Sequence, residues 1–205
     1  GRFLLDTYAA TQPTLQQTAK KASLAAYSRH AMESRRPKPR SGLHTAGYFS
    51  RIDNSFQPFL RYLPAEEPRN GLPLIIYLHG YAPSLNIVNW EQVPASLLDF
   101  VKEEGYALAV PFGRSNTDFQ GIGELDVLRV IREMVERYNA DPKRMVLTGI
   151  SMGGMGAWTM ASHYPDLFGG IVVVAGRGDY YFWKGLKREE VPSYKQRLID
   201  RDFAY

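Results

Sequence analysis

Four short apolar runs punctuate an otherwise mixed chain: LPLIIYLH at 72–79, YALAV at 106–110, MVLT at 145–148 and IVVVA at 171–175. Each is strand-sized and continuously apolar rather than alternating, the pattern of strands buried on both faces. The intervening segments have helical spacing. Residues 91–104 set Val93, Leu97, Leu98 and Val101 on one side and stop at Gly105. Residues 121–138 repeat the pattern with Leu125, Leu128, Ile131, Val135 and Tyr138, and Met152–His163 forms a third helix closed by Tyr164-Pro165. Upstream, 48–52 and 59–63 flank DNSFQP, whose Asp53-Asn54 suits a turn, so an antiparallel pair is expected. The polar tail 187–205 reads as helical. Strands alternating with amphipathic helices predict an α/β fold, a mostly parallel sheet with helices on both faces.

Ahead of this body lies a different kind of sequence. Residues 11–33 are rich in Ala, Gln, Lys and Leu and predict a helix. The following RRPKPRSG ends it, because Pro37 and Pro39 remove donors and push their predecessors toward extended geometry. The expected organisation is therefore a basic helical leader and Pro-rich linker over 1–44, and an α/β domain over 45–205. Charge follows that division. Residues 1–40 hold eight Lys/Arg against Asp6 and Glu33, a net of +6, whereas the other 165 hold 17 basic and 19 acidic groups, a net of −2. No aromatic residues interleave with the basic ones of the linker to stack bases, so the leader reads as a solvated arm and neither nucleic acid nor membrane is an expected partner.

Composition removes several chemistries. The 205 residues include no cysteine, which excludes disulfides, thiolate catalysis and cysteine-ligated metals. No apolar run approaches the roughly 20 residues of a membrane-spanning helix. The chain begins with Gly1 rather than methionine. An incomplete N-terminus is expected, and the compartment stays open, secreted and periplasmic locations included. The oligomeric state stays open too.

The candidate chemistry sits in LTGISMGGMG at 147–156. Ser151 falls between a predicted strand and a predicted helix, the setting that gives G-x-S-x-G its meaning as a nucleophile turn. Gly149 and Gly153 remove side chains that would collide in so sharp a reversal, and the hydroxyl is left at the strand's C-terminal edge, where open α/β sheets bind ligands. The rival reading is a tight turn with no chemistry; the strand–helix context and Gly154 favour the nucleophile. Acyl transfer also needs two backbone N–H donors for the developing oxyanion. Met152, next after the serine, is one candidate. The other is Tyr81, in the His79-Gly80-Tyr81 loop after the run at 72–79.

On these residues the sequence resembles an α/β-hydrolase, most like esterase-like members of the prolyl oligopeptidase family and the feruloyl and acetyl esterases. DNSFQPFLRYLP (53–64), LPLIIYLHGY (72–81), GIGELDVLRVI (121–131), DPKRMVLTGISMGG (141–154) and HYPDLFGGIVVVAG (163–176) carry the likeness. The resemblance implies Ser151 as nucleophile and the Tyr81 and Met152 amides as oxyanion hole. It also implies hydrolysis of an ester or a peptide through an acyl-enzyme, with no cofactor and no metal. A protein that kept the fold without a complete triad is the alternative.

The activating partners are harder to find. A serine needs a histidine base and a carboxylate to orient it. The four histidines are His30, His44, His79 and His163. Chain order in this fold puts the base after the serine, which leaves His163. That residue lies about 18 Å down the helix at 1.5 Å per residue, so a helix-end role is expected instead. His79 lies near the site, but the resemblance implies that this position shapes the oxyanion loop rather than serving as the base. Asp179 is a candidate acid; otherwise it caps part of GDYYFW. Glu124 and Asp126 read as first-turn carboxylates that complement a helix dipole. The aromatic run at 180–183 has two readings, a substrate pocket or packing of a helix onto the sheet. The chain is expected to be truncated before the last strands of the fold, with the catalytic Asp and His beyond Tyr205.

Overall fold

The computed structural model of the chain describes residues 39–203 apart from 67, 88 and 91. The helix expected over 11–33 and His30 lie outside the described residues. The chain divides into two units, residues 1–40 with 47–57 and residues 41–46 with 58–205.

Residues 47–57 of the first unit hold a hairpin turn between strands β1 (Gly42–Phe49) and β2 (Phe56–Leu63). The Ser50 N–H donates to the Ser55 carbonyl at 2.9 Å, and Asp53 Oδ1 accepts from the Ser55 N–H at 3.2 Å and its hydroxyl at 2.7 Å. Asn54 takes φ 54°, a conformation its short polar side chain tolerates. Phe49 and Phe56 meet edge to face at 5.6 Å. The turn forms where Asp53-Asn54 predicts it, but β1 ends at Phe49 because the Ser50–Ser55 bond already closes the loop. β1 thus lies earlier than 48–52, and the boundary expected at 44/45 falls inside it.

The second unit is built on a mixed sheet in which β2 is joined, in the order β2-β4-β3-β5-β6, by β3 (Leu72–Leu78), β4 (Ala107–Pro111), β5 (Ala140–Ile150) and β6 (Gly170–Val174). β2 runs antiparallel to β4, with Phe59 opposite Pro111. β3 is parallel to β4 and β5, and β5 to β6. Helices α1 (Ala95–Glu103), α2 (Ile122–Tyr138) and α3 (Met152–His163) connect the parallel strands, followed by α4 (Tyr180–Trp183) and α5 (Ser193–Phe203). The chain steps outward from β3 to β4, then crosses back to β5 on the other side of β3. That reversal opens a crevice at the C-terminal ends of β3 and β5, where sheets of this class place their ligands.

Alternation along each strand assigns the two layers. Leu60, Ile75, Tyr77, Leu108 and Val110 pack with Val101 of α1, Leu85, Trp90 and Phe112 on one face. On the other, Phe59 meets Tyr138 of α2 at 6.4 Å, and His163 of α3 pairs with Glu124 of α2. Leu74, Ile76, Leu78, Ala107 and Ala109 are buried in full. α1 begins at Ala95 rather than 91, since Pro94 stands at its N-cap. One expectation fails: the run at 171–175 is not buried on both faces. β6 is the edge of the described sheet, and Val172 and Val174 are 54% and 47% exposed on the side away from α3.

Leu147, fully buried in the middle of β5, tests the core. Leu147→Ala is expected to lower stability by about 2–5 kcal/mol, measured by chemical denaturation.

Candidate active site

The turn from β5 into α3 is a place where three backbones nearly touch. A Cβ at Gly149 would come within 2.2 Å of the Gly153 carbonyl oxygen, and one at Gly153 within 2.0 Å of the Leu78 carbonyl oxygen of β3. A Cβ at Gly154 would sit 2.8 Å from Gly176 Cα, just past β6. Glycine at all three positions lets α3 descend onto β3, β5 and β6 at once. Between them Ser151 is forced to φ 55°, ψ −114°, a conformation costing a non-glycine residue on the order of 1–3 kcal/mol. The cost is offset by surrounding bonds: the Ser151 N–H donates to Val174 at 2.8 Å, and the Ser151 carbonyl accepts from Met155 at 3.0 Å. Its hydroxyl caps no N–H of α3. The N-terminus of a twelve-residue helix with no acidic residue in its first turn directs its dipole at this point.

The loop after β3 comes to the same place. A Cβ on Gly80 would lie 3.8 Å from Ser151 Cβ, so the His79-Gly80-Tyr81 segment passes directly beside the serine. His79 is fully buried. Its Nδ1 stands 3.0 Å from the Gly80 carbonyl and its Nε2 3.1 Å from the Phe112 carbonyl, while Phe119 meets its ring at 5.0 Å. Both ring nitrogens thus face backbone of the loops after β3 and β4. The Tyr81 side chain is 61% exposed.

A third loop, residues 113–121 after β4, frames the crevice, and its role was not read from the sequence. Gly113, Arg114 and Ser115 take positive φ in succession, and Asp118 and Phe119 do so again. The loop is pinned at several points. Arg114 Nε donates to Asp126 Oδ2 at 2.7 Å, Thr117 Oγ1 to the Gly113 carbonyl at 2.7 Å, and Ser115 Oγ to the Leu85 carbonyl at 2.9 Å. Phe119, fully buried, fills the space left by Gly156 of α3, where a Cβ would approach its own Cβ to 2.7 Å. The clustered Gly, Ser, Asn and Asp of GRSNTDFQG signal a loop; nothing in that composition says which loop it will grip.

The remaining candidates sort by contact. His163 is tied at the end of α3, its Nδ1 2.9 Å from Glu124 Oε1, as a helix-end residue. Glu124 lies in the first turn of α2, but Asp126 lies beyond it and is buried against Arg114. Its role is therefore an ion pair rather than dipole compensation. Asp179 caps α4 by accepting from the Phe182 N–H at 3.1 Å. In the aromatic run, the Tyr181 hydroxyl donates to Asp200 of α5 at 3.0 Å, and Phe182, 60% exposed, stacks under Arg177 at 4.0 Å. Among the described residues no group of three or more His, Asp and Glu is arranged to hold a metal ion.

Comparison with known proteins agrees with the fold. The chain superposes on the S-formylglutathione hydrolase of Staphylococcus aureus with a TM-score of 0.58 at 17% identity, over 81% of this chain and 68% of that one. This is an α/β-hydrolase fold. A model of the prolyl oligopeptidase family matches residues 121–200, the stretch from α2 through the Ser151 turn into α5. Among curated proteins, the chain is 34% identical over 102 residues to a bifunctional acetylxylan esterase/xylanase of Neocallimastix patriciarum, covering 46% of this chain and 14% of that protein. It is 28% identical over 129 residues to poly(3-hydroxyalkanoate) depolymerase C of Paucimonas lemoignei, covering 57% and 30%. The chain therefore spans less than a third of either curated relative.

Two outcomes follow from these contacts. Gly153→Ala is expected to cost more than the ~1–3 kcal/mol usual for overpacking, since the obstructing atom is the β3 backbone itself; denaturant titration checks this. Tyr164, next to Glu124, has its phenol pushed up to about 12 by burial, then by hydrogen bonding to that carboxylate and its charge. Below about pH 10, the ordinary tyrosine value, both states keep the proton and the full contribution is present. It is lost as pH rises from there toward about 12, because the unfolded chain ionises first. Tyr164→Phe is expected to flatten that alkaline decline, read from denaturation midpoints across the same pH range.

Proposed function

We propose that the protein is a serine hydrolase that cleaves carboxylic esters by acyl transfer. The observation that carries the reading is Ser151 held at φ 55° on the turn between β5 and α3, with the Gly80 loop against its Cβ. In this scheme Ser151 Oγ attacks the ester carbonyl carbon and the alcohol departs, leaving an acyl-serine that water then hydrolyses. The Met152 N–H opens α3, where helical N–H groups lack partners within the helix, and it faces the developing oxyanion. The Tyr81 N–H is the second donor. The dipole of α3 adds to both.

The serine proton needs an acceptor, and the described histidines are engaged elsewhere. His44 faces the Ser41 carbonyl, His79 faces two carbonyls, and His163 pairs with Glu124. The 205-residue chain by itself is accordingly expected to turn over slowly. That same observation favours a second reading, a binding protein of hydrolase fold without a working triad. Relatives named as a bifunctional acetylxylan esterase/xylanase and a poly(3-hydroxyalkanoate) depolymerase favour an ester; the prolyl oligopeptidase match keeps a peptide substrate as the alternative.

Labelling of the full-length protein with a fluorophosphonate separates the readings. Ser151→Ala is expected to abolish it, and Tyr81→Pro, which deletes one N–H donor, to slow ester turnover about 10²–10³-fold. Labelling that is absent, or indifferent to the alanine change, would leave only the binding protein.

A further inference from the structure

A backbone N–H donor is useful only if its peptide plane points the right way, and the plane carrying the Tyr81 N–H is that of the Gly80–Tyr81 peptide. On one side this plane is met by His79 Nδ1 at the Gly80 carbonyl, 3.0 Å away. The next plane, Tyr81–Ala82, is met by Asn116. Its Oδ1 accepts from the Ala82 N–H at 3.3 Å, and its Nδ2 donates to the Ala82 carbonyl at 2.8 Å. One side-chain amide thus grips both polar atoms of Ala82, and with them the direction in which the chain leaves Tyr81.

Asn116 is well supported for this task. It follows three successive positive-φ residues, Gly113, Arg114 and Ser115, and the strain at the two non-glycine residues is kept only when the surroundings over-determine it. Arg114 is anchored to buried Asp126 of α2, Ser115 holds the Leu85 carbonyl, and Asp118 pairs with Lys184 at 2.5 Å. The grip on Ala82 is therefore braced against the body of the fold.

We infer that Asn116 is a positioning residue that sets the aim of the Tyr81 N–H, by clamping Ala82 from the loop after β4. This rests on the reading of Ser151 as nucleophile and Tyr81 as oxyanion donor. Asn116 touches no reacting atom; it acts through the backbone. An amide suits the position because it both donates and accepts in one plane. A carboxylate can only accept and would repel the Ala82 carbonyl, whereas a protonated carboxyl group again does both.

The test uses the full-length protein, para-nitrophenyl acetate as ester and two variants. Asn116→Leu keeps the size and removes both bonds; kcat is expected to fall roughly 10–100-fold, a part of the loss from deleting a donor outright, with KM changed little. Asn116→Asp is expected to be as slow at neutral pH. Its rate relative to wild type should recover as pH falls through the carboxyl range near about 4. Hydrogen exchange at the Ala82 amide should speed up in Asn116→Leu, a readout independent of catalysis. Wild-type kcat in Asn116→Leu, an Asp/wild-type ratio that ignores pH, or unchanged Ala82 exchange overturns the clamp. Failure of wild type to form a Ser151 acyl-enzyme instead overturns the hydrolase reading, and the positioning role with it.

Discussion

The crossing of β3, β5 and α3 is the constraint on which the rest of this structure depends. Hydrophobic burial draws a helix toward a sheet without specifying how close it may come. Here the distance is set by what is missing: Gly149, Gly153 and Gly154 carry no Cβ where one would fall within 2.0–2.8 Å of neighbouring backbone. Because α3 sits so low, the residue that leads into it must turn through a positive-φ conformation, and Ser151 is the residue that does so. The N-terminus of α3, the end of β5 and the loop after β3 then converge on one point. With a side chain at Gly153, α3 would have to lift off β3 and that convergence would be lost.

Around this point the polar groups of the loops are spent on backbone. His79 faces the Gly80 and Phe112 carbonyls, Asn116 grips Ala82, and Ser115 holds Leu85. The carboxylates near the start of α2 are tied as well, Asp126 to Arg114 and Glu124 to His163. Side chains that look like chemistry in the sequence are thereby used to hold loops. Backbone held this way does not need to reorganise as charge develops, which is the basis of oxyanion stabilisation.

Much of this was legible in advance because it depends on local pattern. The apolar runs at 72–79 and 106–110 fold as strands buried on both faces, and Met152–His163 forms a helix over the expected residues. The serine turn could be placed because a glycine requirement is written at the position where it acts. The helix-end role of His163 followed from counting residues along α3. Less was legible where the outcome depends on distant neighbours. The run at 171–175 looks as apolar as the others, yet Val172 and Val174 of β6 stand exposed, because among the described residues β6 is the edge strand, paired with β5 on one side. Asp126 resembled a helix-start carboxylate until Arg114, twelve residues upstream, was found beside it.

Sequence alone determined the order of strands and helices, the serine turn and its candidate amides, because hydrophobic period and glycine placement act over a few residues. Tertiary structure decided which loop holds which. That Asn116 of GRSNTDFQG reaches Ala82, 34 residues away, depends on β4 lying beside β3, a pairing made by the crossover and visible in no local pattern. The same holds for His79, whose Nε2 meets Phe112 33 residues on. Hydrogen bonds between loops act over about 3 Å, and only the folded sheet brings those loops within that range.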